Sequence, residues 1–361
     1  MKFIHTADVH LHPSLKHVAY LQEEDILKRQ YELRETFYRL LERAEKEACD
    51  ALFIVGDLFD HPDINPFELE ALFKRLNALK LNVYIIFGNH DAWLFKQIKT
   101  LNLDGGNIHL FDQEKTTYSL GNTLIHGFNT ETFTQTNLKA LSGKLNQDKQ
   151  HILLLHGEII NPNDDHFLID KKSLRAMGFD YIALGHIHKH QFLTNHIAYS
   201  GNPEPFDFSE QDEKGVILGT LENHKLETTF IKTQKRHFIT KTITTDETTS
   251  LDQLIEICKK SFDEKTRTSD FIRIVLKGEK HLDAGIEQKK LLDILKPEFY
   301  YLEIKDETED AFDIKPLKKE YKDTVIERLI EAYEAKEKKN QDDLEALKKA
   351  LHALLKTEVS W

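Results

Sequence analysis

The chain has 361 residues, of which 40% are hydrophobic and 30% charged, a composition typical of a folded globular protein and not of a disordered one. Its net charge of −12 argues against nonspecific binding of polyanions, although bound cations or a partner protein can supply positive charge locally. The N-terminus resembles neither a signal peptide nor a membrane span, and Cys49 and Cys258 match no zinc motif, which suits a reducing cytoplasm.

The first part of the chain alternates short apolar strands with amphipathic helices. Two helices with an apolar face are predicted, from Gln22 to Ala48 and from Pro66 to Leu79. The resulting βαβαβ order predicts a parallel sheet. Its strands are predicted at Lys2–Ala7, Ala51–Val55 and Val83–Phe87.

Shorter strands separated by turn residues follow Trp93 and predict a second, mixed or antiparallel sheet. Two packed sheets with helices outside would make residues 1–235 one α/β domain. The predicted strands are Asn107–Phe111, Thr116–Leu120, Thr123–Phe128, His151–Leu155, Tyr181–Leu184, Gln191–Ser200, Gly215–Leu221 and Leu226–Thr233, with helices at Asn137–Leu145 and Asp170–Met177.

A polar, Thr-rich stretch from Arg236 to Ser250 predicts a domain boundary. Beyond it we expect a small α/β module over residues 236–320 and a helical segment over residues 321–361. Leucines at helical spacing in that segment fit helices packed on their own domain and equally helices that dock a partner. The module's predicted elements are Leu251–Phe262 (helix), Phe271–Leu276 (strand), Ile286–Leu295 (helix) and Phe299–Ile304 (strand).

Metal-ligand residue types follow five of the predicted strands. A single Asp after a strand is usually a loop residue or a helix cap, but five such endings point to one site, because sites in α/β sheets lie beyond the carboxyl ends of the strands. The residues in question are Asp8, His10, Asp57, Asn89, His90, Asp91, His156, His186 and His188.

The chemistry of this set predicts two divalent cations. Carboxylate, amide and imidazole groups without thiolates suit Mn²⁺, Fe²⁺ or Zn²⁺ and disfavour Ca²⁺. The set is too large for one cation and sufficient for two that share one carboxylate. Such a pair can activate water and clamp a phosphoryl group, which predicts phosphoester hydrolysis without a covalent intermediate.

Taken in order, these motifs resemble the calcineurin-like metallophosphoesterases over about residues 1–233. The motifs are Asp8-x-His10, Gly56-Asp57, Gly88-Asn89-His90-Asp91, His156-Gly157 and Gly185-His186-x-His188. Within that group, Gly56–Phe59, Gly185–Lys189 and Tyr199–Pro205 resemble the DNA-repair exonucleases of the SbcD and YhaO type. The resemblance implies an αββα sandwich with two sheets, a small α/β capping domain and C-terminal helices.

The resemblance also implies roles for individual residues. Asp8, His10, Asp57 and His188 would hold one ion, and Asp57, Asn89, His156 and His186 the other, with Asp57 bridging. His90 would bind no metal and would stabilise or protonate the leaving oxygen. Asp91 would orient His90, or would cap the following helix. Asp60 stands where archaeal and eukaryotic members carry a histidine, and His61 follows it.

We therefore expect a cytoplasmic, Mn²⁺-dependent DNA exonuclease or endonuclease subunit of a repair complex, with Fe²⁺ and Zn²⁺ as alternative metals. The resemblance implies DNA and a coiled-coil ATPase of the SMC type (SbcC- or YhaN-like) as partners, and leaves a homodimer open. The alternatives are a phosphodiesterase for cyclic nucleotides or dinucleotides, and a scaffold that tethers DNA or regulates the ATPase. The additional α/β module favours the nuclease, and the non-ligand acid His90 argues against the scaffold.

Overall fold

The computed structural model describes residues 1–13, 15, 18, 21, 23–281, 287–311 and 314–356. The chain divides into two compact units, Met1–His237 and Phe238–Trp361. The three-part division expected from the sequence stays a prediction. Gln22 and Ile286, where two helices were predicted to begin, and residues 357–361 of the predicted helical segment lie outside the described residues.

The first unit contains two six-stranded sheets. Its described strands are β1 (Lys2–Thr6), β2 (Ala51–Val55), β3 (Asn82–Ile86), β4 (Ile108–Leu110), β5 (Thr117–Leu120), β6 (Thr123–Phe128), β7 (Gln150–His156), β8 (Tyr181–Gly185), β9 (Gln191–Thr194), β10 (Ile197–Tyr199), β11 (Gly215–Glu222) and β12 (Lys225–Lys232). Its described helices are α1 (Glu23–Lys46), α2 (Pro66–Asn77), α3 (Leu94–Leu101), α4 (Gln135–Ser142) and α5 (Lys171–Arg175).

The strand order is β12-β11-β1-β2-β3-β4 in the first sheet and β5-β6-β7-β8-β10-β9 in the second. The strands β1 to β4 run parallel, as do β6, β7 and β8. The carboxyl ends of β1, β2 and β3 therefore meet at one edge of the first sheet, and those of β7 and β8 meet in the second.

Apolar clusters define four layers. Phe37 and Leu72 of α1 and α2 are buried with residues of the first sheet. Phe53 of the first sheet and Leu154 of the second belong to the cluster between the sheets. Leu174 of α5 packs with residues on the other face of the second sheet. Because apolar side chains on both faces of a strand need cover, this layering explains the continuous apolar runs of β2 and β7. The predicted αββα sandwich is confirmed.

The sequence assigned three strands to the wrong sheet. It placed Asn107–Phe111, Gly215–Leu221 and Leu226–Thr233 in the second sheet, whereas β4 pairs with β3, and β11 pairs antiparallel with β1 in the first. The single strand predicted at Gln191–Ser200 is the antiparallel pair β9 and β10. Alternation and turn residues locate a strand, but they carry no information about its neighbour across a long connection.

The second unit has a three-stranded parallel sheet, β13-β14-β15. The Thr-rich stretch expected as a boundary forms β13, because β-branched residues favour the extended backbone. Its described elements are β13 (Phe238–Thr245), α6 (Leu251–Lys260), α7 (Glu264–Ser269), β14 (Phe271–His281), α8 (Gln288–Leu295), β15 (Tyr301–Ala311), α9 (Ile314–Glu320), α10 (Val325–Glu334) and α11 (Gln341–Lys356).

Apolar residues of α10 and α11 form a small core of their own. Ile326 and Ile330 are buried together with Leu347 and Leu351, and residues of α9 pack against them. This is the first of the two arrangements left open by the sequence, helices packed within their own unit. Among the described helices, none combines the length and the apolar character needed to cross a bilayer.

Candidate metal centre

The loops that follow β1, β2 and β8 hold site residues in an unusual backbone conformation. The φ angles are 52° at Asp8, 43° at His10, 53° at Asp57 and 100° at His186. Non-glycine residues rarely adopt positive φ, and such strain persists where the surrounding structure imposes it, often at functional sites. The amide of Asp8 donates to the carbonyl of Gly56 at 3.1 Å, and that of His10 to Asp57 at 3.0 Å, so the two loops support each other.

The carboxylate of Asp57 lies between histidines from both sheets. Its Oδ2 is 3.2 Å from Nε2 of His156 and 3.8 Å from Nε2 of His10. The carboxamide Oδ1 of Asn89 is also 3.2 Å from Nε2 of His156. Nδ1 of His156 lies 2.9 Å from the carbonyl of Val55, to which it donates, so Nε2 is free to act as a ligand.

A second pair of imidazoles faces the other side of Asp57. Nε2 of His10 lies 3.2 Å from Nε2 of His188. Two nitrogens each about 2.1 Å from one cation would lie about 3.0–3.4 Å apart, so this spacing fits two ligands of one ion. The carboxylate of Asp8 completes the group and accepts from the amide of His186 at 2.9 Å and 3.1 Å.

These contacts form two groups of ligand atoms, each with all atoms within 4.8 Å of one another. One consists of Asp8, His10 and His188, and the other of Asp8, Asp57 and His156. Asp8 and Asp57 are buried, and buried carboxylates require either partners of opposite charge or a metal. The donor chemistry and spacing therefore fit two divalent cations.

Glycine leaves the room that this arrangement needs. A Cβ at Gly88 would lie 2.1 Å from Oδ1 of Asp57 and 2.8 Å from Nε2 of His156. A Cβ at Gly185 would lie 2.0 Å from the carbonyl of Val55. Both glycines allow the two sheets to approach closely enough for Asp57 and His156 to share the site.

Opposite charges hold the protonation states of the site without a metal. Burial opposes ionisation of both Asp57 and His156, but each favours the charged form of the other, so the pKa of Asp57 is lowered and that of His156 is raised. A cation bound there would take the place of the proton on His156. Metal binding at this site should therefore release protons.

The other predicted ligand from the second sheet, His186, lies at the edge of these groups. Its ring centre is 5.4 Å from that of His156. Its Nε2 lies 3.7 Å from Oδ1 of Asp164, a carboxylate that the sequence did not single out. Burial is the largest effect on His186 and lowers its pKa, which favours the neutral, metal-binding imidazole.

His90 lies beside the ligand groups with a half-exposed ring. Its backbone amide donates to Oδ1 of Asp57 at 2.9 Å. Its Nδ1 lies 3.1 Å from the carbonyl of Asp60 and 3.4 Å from the Oδ1 of that residue. Asp60 is the main cause that raises the pKa of His90 to about 9, so the ring is an imidazolium at neutral pH.

The contacts of Asp91 differ from both sequence-based expectations. Its buried carboxylate accepts from the amides of Gly88 at 2.8 Å, Leu58 at 2.7 Å and Asp57 at 3.3 Å, and among its described contacts there is none to the His90 ring. The helix after it, α3, begins at Leu94 with Trp93 at its N-cap. Asp91 therefore ties the β2 and β3 loops together, because three amides with no other acceptor converge on it. Burial is the main cause that raises its pKa to about 6.

Two further carboxylates contact site histidines. Asp60 takes the place expected for Asp91 beside His90, and its position three residues after Asp57 was the only sequence signal for it. Glu210 accepts from Nδ1 of His188 at 2.6 Å and carries no sequence signal. Burial opposes its ionisation, but the bond to His188 and the charge of Lys214 lower its pKa to about 2.

Two facing sheets whose strand ends bring carboxylates and imidazoles together around two cation positions define the class of dimetal phosphoesterases. A family model described as Calcineurin-like phosphoesterase matches residues 1–190, which is more than half of the chain. The chain belongs to this family, and it is accordingly a phosphoesterase, a hydrolase.

Three curated relatives show modest identity. The chain is 26% identical over 295 residues to "Uncharacterized metallophosphoesterase YhaO" of Bacillus subtilis, covering 77% of this chain and 72% of that protein. It is 27% identical over 349 residues to "DNA double-strand break repair protein Mre11" of Sulfurisphaera tokodaii, covering 88% and 87%. It is 28% identical over 264 residues to the SbcD subunit of the nuclease SbcCD from Staphylococcus epidermidis, covering 63% and 67%.

Proposed function

We propose that this protein is a Mn²⁺-dependent nuclease that hydrolyses phosphodiester bonds of DNA as a subunit of a repair complex. The observation that carries the proposal is the position of the Asp57 carboxylate, 3.2 Å from His156 and 3.8 Å from His10, with His90 alongside. A shared carboxylate between two ligand groups is the arrangement that two-metal hydrolysis needs.

A pair of Mn²⁺ ions held by Asp8, His10, Asp57, Asn89, His156, His186 and His188 would lower the pKa of water and neutralise charge on the phosphoryl group. The protein itself supplies the positioning. The backbone contacts of Asp91 hold the β2 and β3 loops in register. The bond from His156 to Val55 keeps the ligand nitrogen of His156 unprotonated.

His90 is assigned the role of general acid. Its ring is half exposed and so accessible to a substrate, while Asp60 keeps it protonated. An imidazolium beside the scissile bond stabilises charge on the leaving oxygen and can donate its proton to it. Removal of that positive charge would slow departure of a poor leaving group, such as a nucleotide hydroxyl, more than that of a good one.

DNA as substrate is supported by two relatives whose names state repair of DNA double-strand breaks and nuclease activity. The same relatives support a coiled-coil ATPase as partner, for which α9, α10 and α11 are the proposed binding segment. The second unit is the proposed capping domain. Mn²⁺ is proposed because carboxylate, amide and imidazole ligands together suit this ion.

The test compares substrates under one set of conditions. Purified protein is incubated with Mn²⁺ and linear DNA, with bis-p-nitrophenyl phosphate, or with cyclic nucleotides, each with and without a co-purifying ATPase. We expect cleavage of DNA and of the chromogenic diester. Activity confined to the small compounds in both conditions would refute the nuclease proposal and favour a small-molecule phosphodiesterase.

The partner proposal has its own test. Protein carrying an affinity tag at its N-terminus is isolated with bound proteins, and a truncation before Tyr321 is treated in the same way. We expect the full chain to retain an ATPase that the truncated chain loses. Retention of the ATPase by the truncated chain would remove α10 and α11 from the interface.

A further inference from the structure

The loop between β10 and β11 places one carboxylate against the metal centre. Oε1 of Glu210 lies 2.6 Å from Nδ1 of His188. The side chain of Glu210 is only 12% exposed, and burial of a carboxylate costs free energy unless its oxygens find partners. Each oxygen of Glu210 does find partners, and the two oxygens have different ones.

The second oxygen of Glu210 is held by the loop itself. Oε2 accepts from the carboxamide of Asn202 at 2.7 Å and from the amide of Phe206 at 3.2 Å. The ammonium group of Lys214 lies 3.4 Å from the same oxygen. With Oε2 occupied in this way, Oε1 is left to face His188.

The lysine in this arrangement also holds the backbone of the histidine. The side chain of Lys214 is 1% exposed, and its Nζ donates to the carbonyl of His188 at 2.9 Å. It also lies 3.2 Å from Asp212. Lys214 therefore neutralises Glu210 and ties the loop to the residue whose ring Glu210 contacts.

The contact fixes which nitrogen of His188 can bind a metal. Nε2 of His188 faces His10, so a cation in that group would be bound through Nε2. A neutral imidazole carries its proton on one nitrogen only, and a carboxylate at Nδ1 holds the proton there. The same carboxylate makes Nε2 a stronger ligand and fixes the ring orientation.

We propose that Glu210 is a positioning residue that sets the tautomer and ring orientation of His188 and so the affinity of the cation held by Asp8, His10 and His188. This inference rests on the two-cation site of the proposed function and extends it to one residue outside the ligand groups. It requires the effect to be confined to one of the two cations, since Glu210 contacts only His188 among the proposed ligands.

The test measures binding of Mn²⁺ alone to the full chain by calorimetry and by electron paramagnetic resonance, for wild type, Glu210→Gln and Glu210→Ala. We expect wild type to bind two ions. Glu210→Ala should weaken one of them about 10–100-fold and leave the other unchanged. Glu210→Gln, which keeps a hydrogen-bond acceptor but loses the charge, should weaken the same ion less.

Two substitutions in the same loop are matched controls. Glu213, which is exposed and pairs with Lys232, should bind Mn²⁺ as wild type does when changed to Gln. Glu204 is buried against Arg29 and Thr36, and Glu204→Gln should lower Tm without weakening either ion. Equal weakening by Glu204→Gln and Glu210→Gln would overturn the proposal, because the effect would then come from loop stability.

Activity gives an independent readout. Hydrolysis of bis-p-nitrophenyl phosphate by Glu210→Ala should recover toward the wild-type rate at excess Mn²⁺, because Glu210 supports a ligand and does not contact the reacting phosphate. Wild-type Mn²⁺ affinity in both Glu210 variants, or a rate that excess Mn²⁺ does not restore, would overturn the proposal. Should Glu210→Ala fail to fold, as judged by circular dichroism, Glu210→Gln decides. A chain that binds two ions but does not cleave DNA refutes the proposed function and leaves this inference standing.

Discussion

Oδ1 of Asp60 lies 3.4 Å from Nδ1 of His90 and 3.3 Å from Nδ1 of His10. One carboxylate therefore contacts both a proposed ligand and the proposed acid. The pKa of Asp60 is lowered because both imidazoles bond to its charged form. Asp60, and not Asp91, is the residue that keeps His90 charged.

Replacing His90 by Asn should reduce the rate of phosphodiester hydrolysis by about 10²–10⁴-fold, the usual contribution of a general acid. The Mn²⁺ content, measured by mass spectrometry of the metal, should stay at the wild-type level because His90 is not among the proposed ligands. Loss of metal would mean that His90 is a ligand. A matched control is His224→Gln, since His224 is an exposed histidine paired with Asp180 at 2.8 Å.

Asp60→Asn should change the pH dependence of the rate. An acid must be protonated, so activity is lost as the pH rises through the pKa of His90, which Asp60 raises to about 9. Without that carboxylate the pKa returns toward its ordinary value near 6.5, and the alkaline fall in rate moves down by as much as about 2 pH units. Rates with bis-p-nitrophenyl phosphate from pH 5.5 to 9.5 measure this. An equal loss of rate at every pH would contradict the assignment.

Gly88→Ala should displace Asp57, because the added Cβ would lie 2.1 Å from Oδ1 of Asp57. We expect Mn²⁺ affinity and activity to fall at least about 10-fold, and the free energy of unfolding to fall by about 1–3 kcal/mol through overpacking. Gly106→Ala is the control, since its Cβ would meet no heavy atom within 4 Å. Wild-type metal binding by Gly88→Ala would show that the spacing at Asp57 is not critical.

His126 predicts an acid-dependent loss of stability away from the metal centre. It is 2% exposed, its Nε2 lies 2.9 Å from Nδ1 of His151, and burial lowers its pKa to about 4. Between pH 6.5 and 4 the unfolded chain binds the proton more readily, so stability falls as the pH is lowered through that range. The contribution is up to roughly 3 kcal/mol.

Urea unfolding of wild type and His126→Gln at pH 7 and pH 4.5 measures this contribution. The variant should be less stable than wild type at pH 7, because Thr117 and His151 lose a partner. Its stability should fall less between the two pH values. The same decrease in both proteins would mean that other groups cause the acid sensitivity.

The positions of the ligands along the chain could be predicted from the sequence because the strands are short, apolar and followed at once by polar residues. The strand predicted at Ala51–Val55 matches β2 residue by residue. His156 and His186 were found in the same way, from the ends of β7 and β8. Parallel strands bring such endings together, which is why a linear pattern sufficed.

Side-chain contacts across long separations could not be predicted. Glu210 and His188 are 22 residues apart, and their contact depends on how the loop after β10 folds back. The role of Asp91 was misjudged because proximity in sequence to His90 carries no information about where the carboxylate points. The positive φ angles of Asp8 and Asp57 also have no sequence signature, since residues other than glycine reveal nothing of their φ.

The proposed ligands are divided between the sheets: Asp8, Asp57 and Asn89 follow strands of the first, and His156 and His186 belong to the second or follow it. Val55 and His156 join the two sheets by a single hydrogen bond at this place. Any sliding of one sheet past the other would separate the ligands before a strand pair broke. The catalytic rate would then respond to hydrostatic pressure or mechanical force earlier than unfolding does, and would serve as a gauge of shear within the sandwich.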